Sequence, residues 1–332
     1  MIPLAAPEFG PAGISGQLDA IEIVEMIVET ECALCGSEDS QVLFVGRDRL
    51  HSVPGQFNVV RCCKCSLVYL NPRPTLDELG LYYPTDYAPY TLASTSLIQR
   101  LIRRGGSNRK RQLVLKHKWG GSLLDVGCAA GDFLRTMGQD GAWKLFGIEP
   151  SAQAAQRAVQ ETGAEVFCGS LEDAQFPAAS FDVITMWHVM EHLYNPRAAL
   201  GNLRRMLKSN GILVLAVPIL DGVDAKWFGP YWSGYDVPRH LFTYSMATLS
   251  EMLGTCGFTA VHMESFIGGY DAFRISFSFW AGESIKSPRL LNLVQSCSQS
   301  VGFRLLMMPY FAVINLLGRG STLVATASLV PG

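Results

Sequence analysis

The stretch that most constrains this chain runs from Ser122 to Pro150, SLLDVGCAAGDFLRTMGQDGAWKLFGIEP. Leu123, Leu124 and Val126 form an apolar run as long as a strand buried on both faces of a parallel sheet, and Gly127 ends it. A helix and a second strand follow, and that strand closes on a carboxylate, Glu149. The order strand, glycine turn, helix, acidic strand end is half of a nucleoside-binding α/β fold. Gly127 and Gly131 are expected to bring the backbone against a ligand, because a β-carbon at either position would intrude on it.

The spacing of small residues separates two cofactor classes. A dinucleotide site needs GxGxxG, in which the third glycine admits a pyrophosphate to the helix N-terminus. This chain has DxGxAxG, with Asp125 ahead of the first glycine and Asp132 where the third would stand. A carboxylate there repels pyrophosphate and suits a ligand with an ammonium and a sulfonium. The stretch therefore resembles motif I of the class I S-adenosylmethionine (SAM) methyltransferases, followed by their acidic ribose-binding residue in GIEPS. Ala129 replaces the commoner middle glycine. The resemblance implies a Rossmann-like seven-stranded α/β sheet. It assigns SAM contacts to Asp125, Gly127, Cys128, Ala129, Gly131, Phe133, Glu149 and Pro150, to Leu171 and Glu172 in the adenine loop, and to Trp187 and His188.

Two CxxC pairs precede this half-fold: Cys32 with Cys35, and Cys62 with Cys65. Each pair can offer two thiolates to one tetrahedral ion, and short strands at 42–45 and 57–60 give residues 23–70 the look of a zinc ribbon. The 26 residues between the pairs exceed the usual ribbon spacing, and Cys63 is an alternative ligand. A redox CxxC is the competing reading. With nine cysteines arranged this way, the chain reads as metal and core thiols of a reducing compartment, and the start lacks a secretory pattern. A cytoplasmic address follows. Residues 1–22 read as a flexible leader without assigned function.

The formal charge of −2 excludes the marked basic excess of most nucleic-acid binders. Within the linker and helical segment 71–118, residues 97–118 hold eight Lys or Arg and no acid. Either a solvated helix face or a contact with phosphate or an anionic membrane accounts for them. Tyr82, Tyr83 and Tyr87 in the same linker read as packing residues or as the border of a polar substrate.

The methyltransferase domain, 119–332, continues with strands at 166–168, 181–187 and 211–218, a helix over 246–256, and final strands near 258–264 and 321–328. Between them lie an aromatic loop, 219–245, with the composition of a substrate-facing segment, and an apolar helical insertion, 273–317. The insertion is too interrupted to span a membrane. It reads as a helical pair over the sheet or as an in-plane membrane or lipid contact.

The order of ribbon cysteines, motif I, HVMEHL and RHLFTYS resembles class I methyltransferases with an N-terminal zinc domain, including sugar methyltransferases of polysaccharide clusters. The resemblance implies methyl transfer to a small polar acceptor, a sugar or glycan hydroxyl first, with SAM as cofactor and zinc as a structural ion. An RNA-modifying enzyme, a lipid-linked acceptor and a non-catalytic SAM-binding scaffold are the alternatives. For the general base, His240 is the first candidate and His188 the second, because histidine titrates in the useful range. Arg239 beside it reads as a ligand for a substrate phosphate or carboxylate.

Overall fold

The computed structural model describes residues 27–83, 97–265 and 269–330. The leader, Tyr87 and the linker residues 84–96 lie outside them.

The chain first forms a small antiparallel module. β1 (Ile27–Val28) pairs with β5 (Arg73–Pro74), and β2 (Ser40–Gly46), β3 (Phe57–Cys62) and β4 (Val68–Leu70) make consecutive antiparallel partners. A short helix, α1 (Leu76–Leu79), is capped by the Thr75 hydroxyl. Helix α2 (Leu97–Leu115) then leads into the main sheet through the buried Leu113 and Val114.

Next come β6 (Gly121–Val126), α3 (Asp132–Met137), β7 (Trp143–Glu149), α4 (Ala152–Thr162), β8 (Glu165–Cys168), β9 (Phe181–Trp187), α5 (Pro196–Met206) and β10 (Leu207–Pro218). Local chemistry sets their ends. Ser151 caps α4 and Gly163 ends it at φ 68°, while Asn195 caps α5 with Pro196 in the first turn. After α6 (Val223–Phe228), β11 (Phe242–Thr243) and α7 (Met246–Thr255) come β12 (Phe258–Ser265), three helices, α8 (Tyr270–Ser284), α9 (Pro288–Gln299) and α10 (Val301–Leu316), and finally β13 (Thr322–Leu329).

The main sheet has seven strands in the order β12-β13-β10-β9-β6-β7-β8. The five from β10 to β8 are parallel, and β13 runs antiparallel between β10 and β12. Strand order reverses between β6 and β9, so the crevice for a ligand opens at the carboxyl ends of those strands. Leu123, Leu124, Val183, Ile184 and residues 213–217 are almost fully buried, as continuous apolar strands covered by helices on both faces must be.

Two features depart from the sequence expectations. The aromatic loop contributes β11, which pairs with β4 (Phe242 opposite Tyr69, Thr243 opposite Val68) and becomes the edge strand of the cysteine module's sheet. The insertion forms three helices, not two, and they cover the loop, not the sheet. Tyr270, Phe273, Phe311 and Ile314 pack with Ala225, Phe228 and Trp232 in one apolar cluster, because the aromatic side chains of 228–232 offer α8 and α10 the larger apolar surface. Leu305, Leu306 and Leu316 on the outer side of α10 are exposed. Among the described residues, no helix is long and apolar enough to cross a membrane.

Candidate active site

The carboxylate of Asp125 sits at the end of β6, buried, and accepts a hydrogen bond of 2.6 Å from the Thr185 hydroxyl on the neighbouring strand β9. Burial pushes it up to about 7, against the pull of that hydrogen bond and of the Lys110 charge. Glu149 ends β7. Its two oxygens accept from the Ser151 and Ala129 amides at 2.9 Å each, so one carboxylate ties the glycine loop to the next strand end. Burial raises Glu149 as well, and those two amides work the other way. Two buried carboxylates side by side make a site that a cation would relieve.

Neither glycine of the loop has room for a side chain. A β-carbon on Gly127 would stand 2.5 Å from Cγ2 of Val189, and one on Gly131 would meet Thr162 and Ala158 of α4. Both residues have positive φ, 71° and 83°. Ala129 also lies in the left-handed region, at φ 47°, held there by its amide bond to Glu149. Asp132 opens α3 and pairs with Arg135 one turn on. Phe133 packs edge-on to Trp187 at 5.3 Å, Leu171 is buried, and Pro150 and Glu172 are exposed at the rim. Cys128 is buried, and burial raises its thiol far above the usual range, which leaves it unreactive.

The basic segment 97–118 turns three of its cations toward the protein. Arg111 pairs with Asp140 at 2.5 Å, Lys116 with Glu264 at 2.6 Å, and Lys110 packs over the Trp187 ring at 5.0 Å. Burial lowers Lys110, while Asp125 and Asp132 pull it the other way. Its place beside motif I was hidden in the sequence by the surrounding run of like charges.

On the other side of β9 lies a histidine cluster. His188 follows the strand at φ 57°, half-exposed, with Nδ1 at 3.2 Å from Glu191 Oε1. Glu191 itself is fully buried. Burial opposes its charge, yet the His188 hydrogen bond and the neighbouring histidines hold it down to about 2. Its second oxygen, Oε2, has no hydrogen-bond partner. His192 is held through Nδ1 by the Tyr83 hydroxyl at 2.9 Å and the Arg239 carbonyl at 3.0 Å, and burial with the neighbouring His240 lowers it to about 4, so the ring is neutral near pH 7. His240 packs edge-on against it at 4.6 Å.

His240 donates from Nδ1 to the Gly234 carbonyl at 2.8 Å, which fixes the tautomer and leaves Nε2 with a free lone pair. That carbonyl is the partner that orients the ring. Arg239 does not bind substrate. It is buried, donating to Asp236 at 2.7 and 2.9 Å, to Asp48 at 2.8 Å and to the Tyr82 carbonyl at 3.0 Å. Every face of the guanidinium is used, because its loop must dock on the cysteine module, where Asp48 already gathers the amides of Leu50, His51 and Val53. Tyr82 is buried and donates to the Pro54 carbonyl, so among the described residues it is Tyr83 of the two linker tyrosines that reaches the cluster.

His188 and His240 line one cavity of about 230 Å³, together with Pro218 at the end of β10, Asp236, and an apolar wall of Trp232, Ile275 and Phe279. The four cysteines lie apart from it. Sγ atoms of Cys32 and Cys65 are 3.4 Å apart and those of Cys35 and Cys62 3.5 Å, too far for disulfides and close enough for four ligands of one tetrahedral ion. Cys63 is exposed and is not one of the four.

A family model described as a methyltransferase domain matches residues 97–263, half of the chain. The chain belongs to that family. The methyltransferase matches 33% of 105 positions of a mitochondrial ubiquinone biosynthesis O-methyltransferase of Schizosaccharomyces pombe, over 29% of this chain and 38% of that protein. It matches 30% of 155 positions of the tRNA U34 carboxymethyltransferase of Haemophilus influenzae, over 43% of this chain and 46% of that protein. It thus spans less than half the length of either relative. The crystal structure of the (4+2)-cyclase SpnF superposes with a TM-score of 0.50 at 20% identity, over 79% of this chain and 99% of that one, which supports the fold. The methyltransferase uses SAM, and the acid pair and motif I loop fit a cationic nucleoside by the chemistry of their donor set.

Proposed function

We propose that this methyltransferase methylates a hydroxyl of a small polar acceptor, a sugar or glycan, seated in the cavity between His188 and His240. The observation that carries the reading is that cavity: it brings the end of β9, where the cofactor's reactive end is expected, together with a histidine whose Nε2 lone pair is free. SAM supplies an electrophilic methyl group on a sulfonium. Glu149 would hold the ribose diol, and Lys110, beside Asp132 and Trp187, would pair with the methionine carboxylate. His240 would take the proton of the acceptor hydroxyl as its oxygen accepts the methyl group that SAM would supply. Such a base contributes roughly 10²- to 10⁴-fold. The ring faces of Trp232 and Phe279 suit the flat side of a sugar ring.

The apolar wall of Leu50, Ile275 and Phe279 favours a second acceptor, a phenolic ring such as a quinol precursor, in keeping with the name of the yeast relative. Ribbon zinc held by Cys32, Cys35, Cys62 and Cys65 belongs to the same reading as a folding ion, since four thiolates leave no position open for water. The test is single-turnover transfer from labelled SAM to nucleotide sugars and to catechols, in the wild type and in His240→Gln. SAM affinity is retained in the variant while the rate falls at least about tenfold. An unimpaired rate removes His240 from the chemistry.

A further inference from the structure

Three groups, of which His240 lines the cavity, have one ligand atom each within 4.8 Å of the other two: Glu191, His192 and His240. Nothing in methyl transfer to a hydroxyl requires them together. We propose that they bind one divalent first-row cation, through Oε2 of Glu191 and Nε2 of both histidines, with the open side toward the cavity.

Two independent observations point to a ligand there. Glu191 is fully buried, yet its Oε2 has no hydrogen-bond partner, which in a folded protein calls for an ion or a water. Both histidines have Nδ1 committed to a backbone carbonyl, His192 to Arg239 and His240 to Gly234. That arrangement fixes Nε2 as the free donor on each ring and is the outer shell that metal-ligating histidines carry. The nearest other carboxylate, Asp236, lies 3.9 Å from His240 Nε2 and has both oxygens held by Arg239, so it does not compete for the place. Glu191 Oε1 is likewise tied to His188, which orients the carboxylate.

Two imidazoles and one carboxylate oxygen select ions such as Mn2+, Co2+ or Zn2+ over Mg2+ or Ca2+, which take mostly oxygen ligands. Residues of two elements must come together to make the site. Glu191 and His192 follow β9, whereas His240 lies in the loop that Arg239 pins to the cysteine module. The inference rests on the reading of the cavity as the acceptor site only in its consequence. With the ion in place, the His240 lone pair is spent on coordination, the ion makes the acceptor hydroxyl more acidic, and Nε2 of His188, which lines the same cavity and has its Nδ1 on Glu191, takes the proton.

The experiment counts bound ions in the full chain with its cysteines loaded with zinc. Mn2+, which thiolates bind poorly, is titrated and followed by the loss of the free-ion paramagnetic signal, and Co2+ is titrated separately and followed by its visible bands. One Mn2+ or Co2+ per chain is the expected result, with bands of nitrogen and oxygen coordination. Glu191→Gln and His240→Ala each weaken it at least tenfold while retaining SAM binding, which reports that the fold survives. Absence of both ions from the wild type, or equal binding by the wild type and both variants, overturns the site and leaves a buried water as its occupant. Methyl transfer that persists with no ion bound overturns the ion alone, whereas a bound ion without transfer to any hydroxyl overturns the acceptor reading alone.

Discussion

The two halves of the sheet's carboxyl edge are assembled by different means. In the cofactor half, partners come from nearer in the chain: Glu149 binds the amides of Ser151 and Ala129, 2 and 20 residues away, Asp125 meets Thr185 across 60, and Lys110 packs on Trp187 across 77. In the acceptor half, Arg239 reaches Asp48 and Tyr82 across 191 and 157 residues, and His192 meets Tyr83 across 109. The first half therefore draws only on β6 to β9 and the helix that leads into them. The second exists only when the cysteine module and the aromatic loop have docked.

Loss of the zinc proposed for the cysteine module tests that contrast most severely. A structural four-thiolate zinc is worth an apparent ~10–16 kcal/mol of folding energy in small zinc domains. Cys32→Ser is expected to release zinc and unseat the module, and with it β11 and the Arg239 loop. Methyl transfer then disappears while SAM, measured by calorimetry, still binds. Full transfer by a zinc-free variant would show that the acceptor half does not need the module.

Arg239→Met attacks the same docking without touching the metal. It leaves Asp48 buried with a charge and no guanidinium, at a cost of about 3–5 kcal/mol, read from urea unfolding. Adding Asp48→Asn is expected to recover part of that loss, because the stranded charge goes with it. If the double variant is no more stable than Arg239→Met alone, the stranded Asp48 charge is not the source of the loss.

What could be read from sequence divides along the same line. Leu123 to Val126 and Ile212 to Val217 announce buried strands by composition alone, and Asp125 and Glu149 stand where the chain must turn at their ends. The partnership of Phe242–Thr243 with Val68–Tyr69 has no such signature, since a two-residue strand carries no period and its partner is far away in the chain. Arg239 misled for a related reason. An arginine beside a histidine in an aromatic loop looks like an anion ligand until Asp48, from the module, fills its fork. Lys110 was similarly hidden, because a run of cations does not reveal which of them turns inward.

Glu149→Gln sharpens the cofactor side. Its amide keeps the shape but places an NH2 where Ala129 or Ser151 already donates, and it loses the charge-assisted bond to the ribose diol. SAM affinity is expected to fall by roughly 1.5–3 kcal/mol. At saturating SAM the single-turnover rate stays near that of the wild type, because the acceptor half is intact. A large drop in that rate would mean that the two halves are coupled through the glycine loop.

The smallest effect is expected at Ala129, where the cofactor loop holds an alanine at φ 47°. The left-handed conformation costs an L-residue about 1–2 kcal/mol, which glycine does not incur. Glycine gives back part of that advantage through the larger freedom of the unfolded chain. The balance favours Ala129→Gly by roughly 0.5–1 kcal/mol, detectable as a higher midpoint of denaturant unfolding. The Ala129 amide still donates to Glu149 in the variant, so the ribose end of the site should be unchanged and SAM affinity with it. Destabilisation instead would mean that the methyl group packs usefully in the loop, and the strain would then be one that the cofactor half needs in order to hold its shape without help from the rest of the chain.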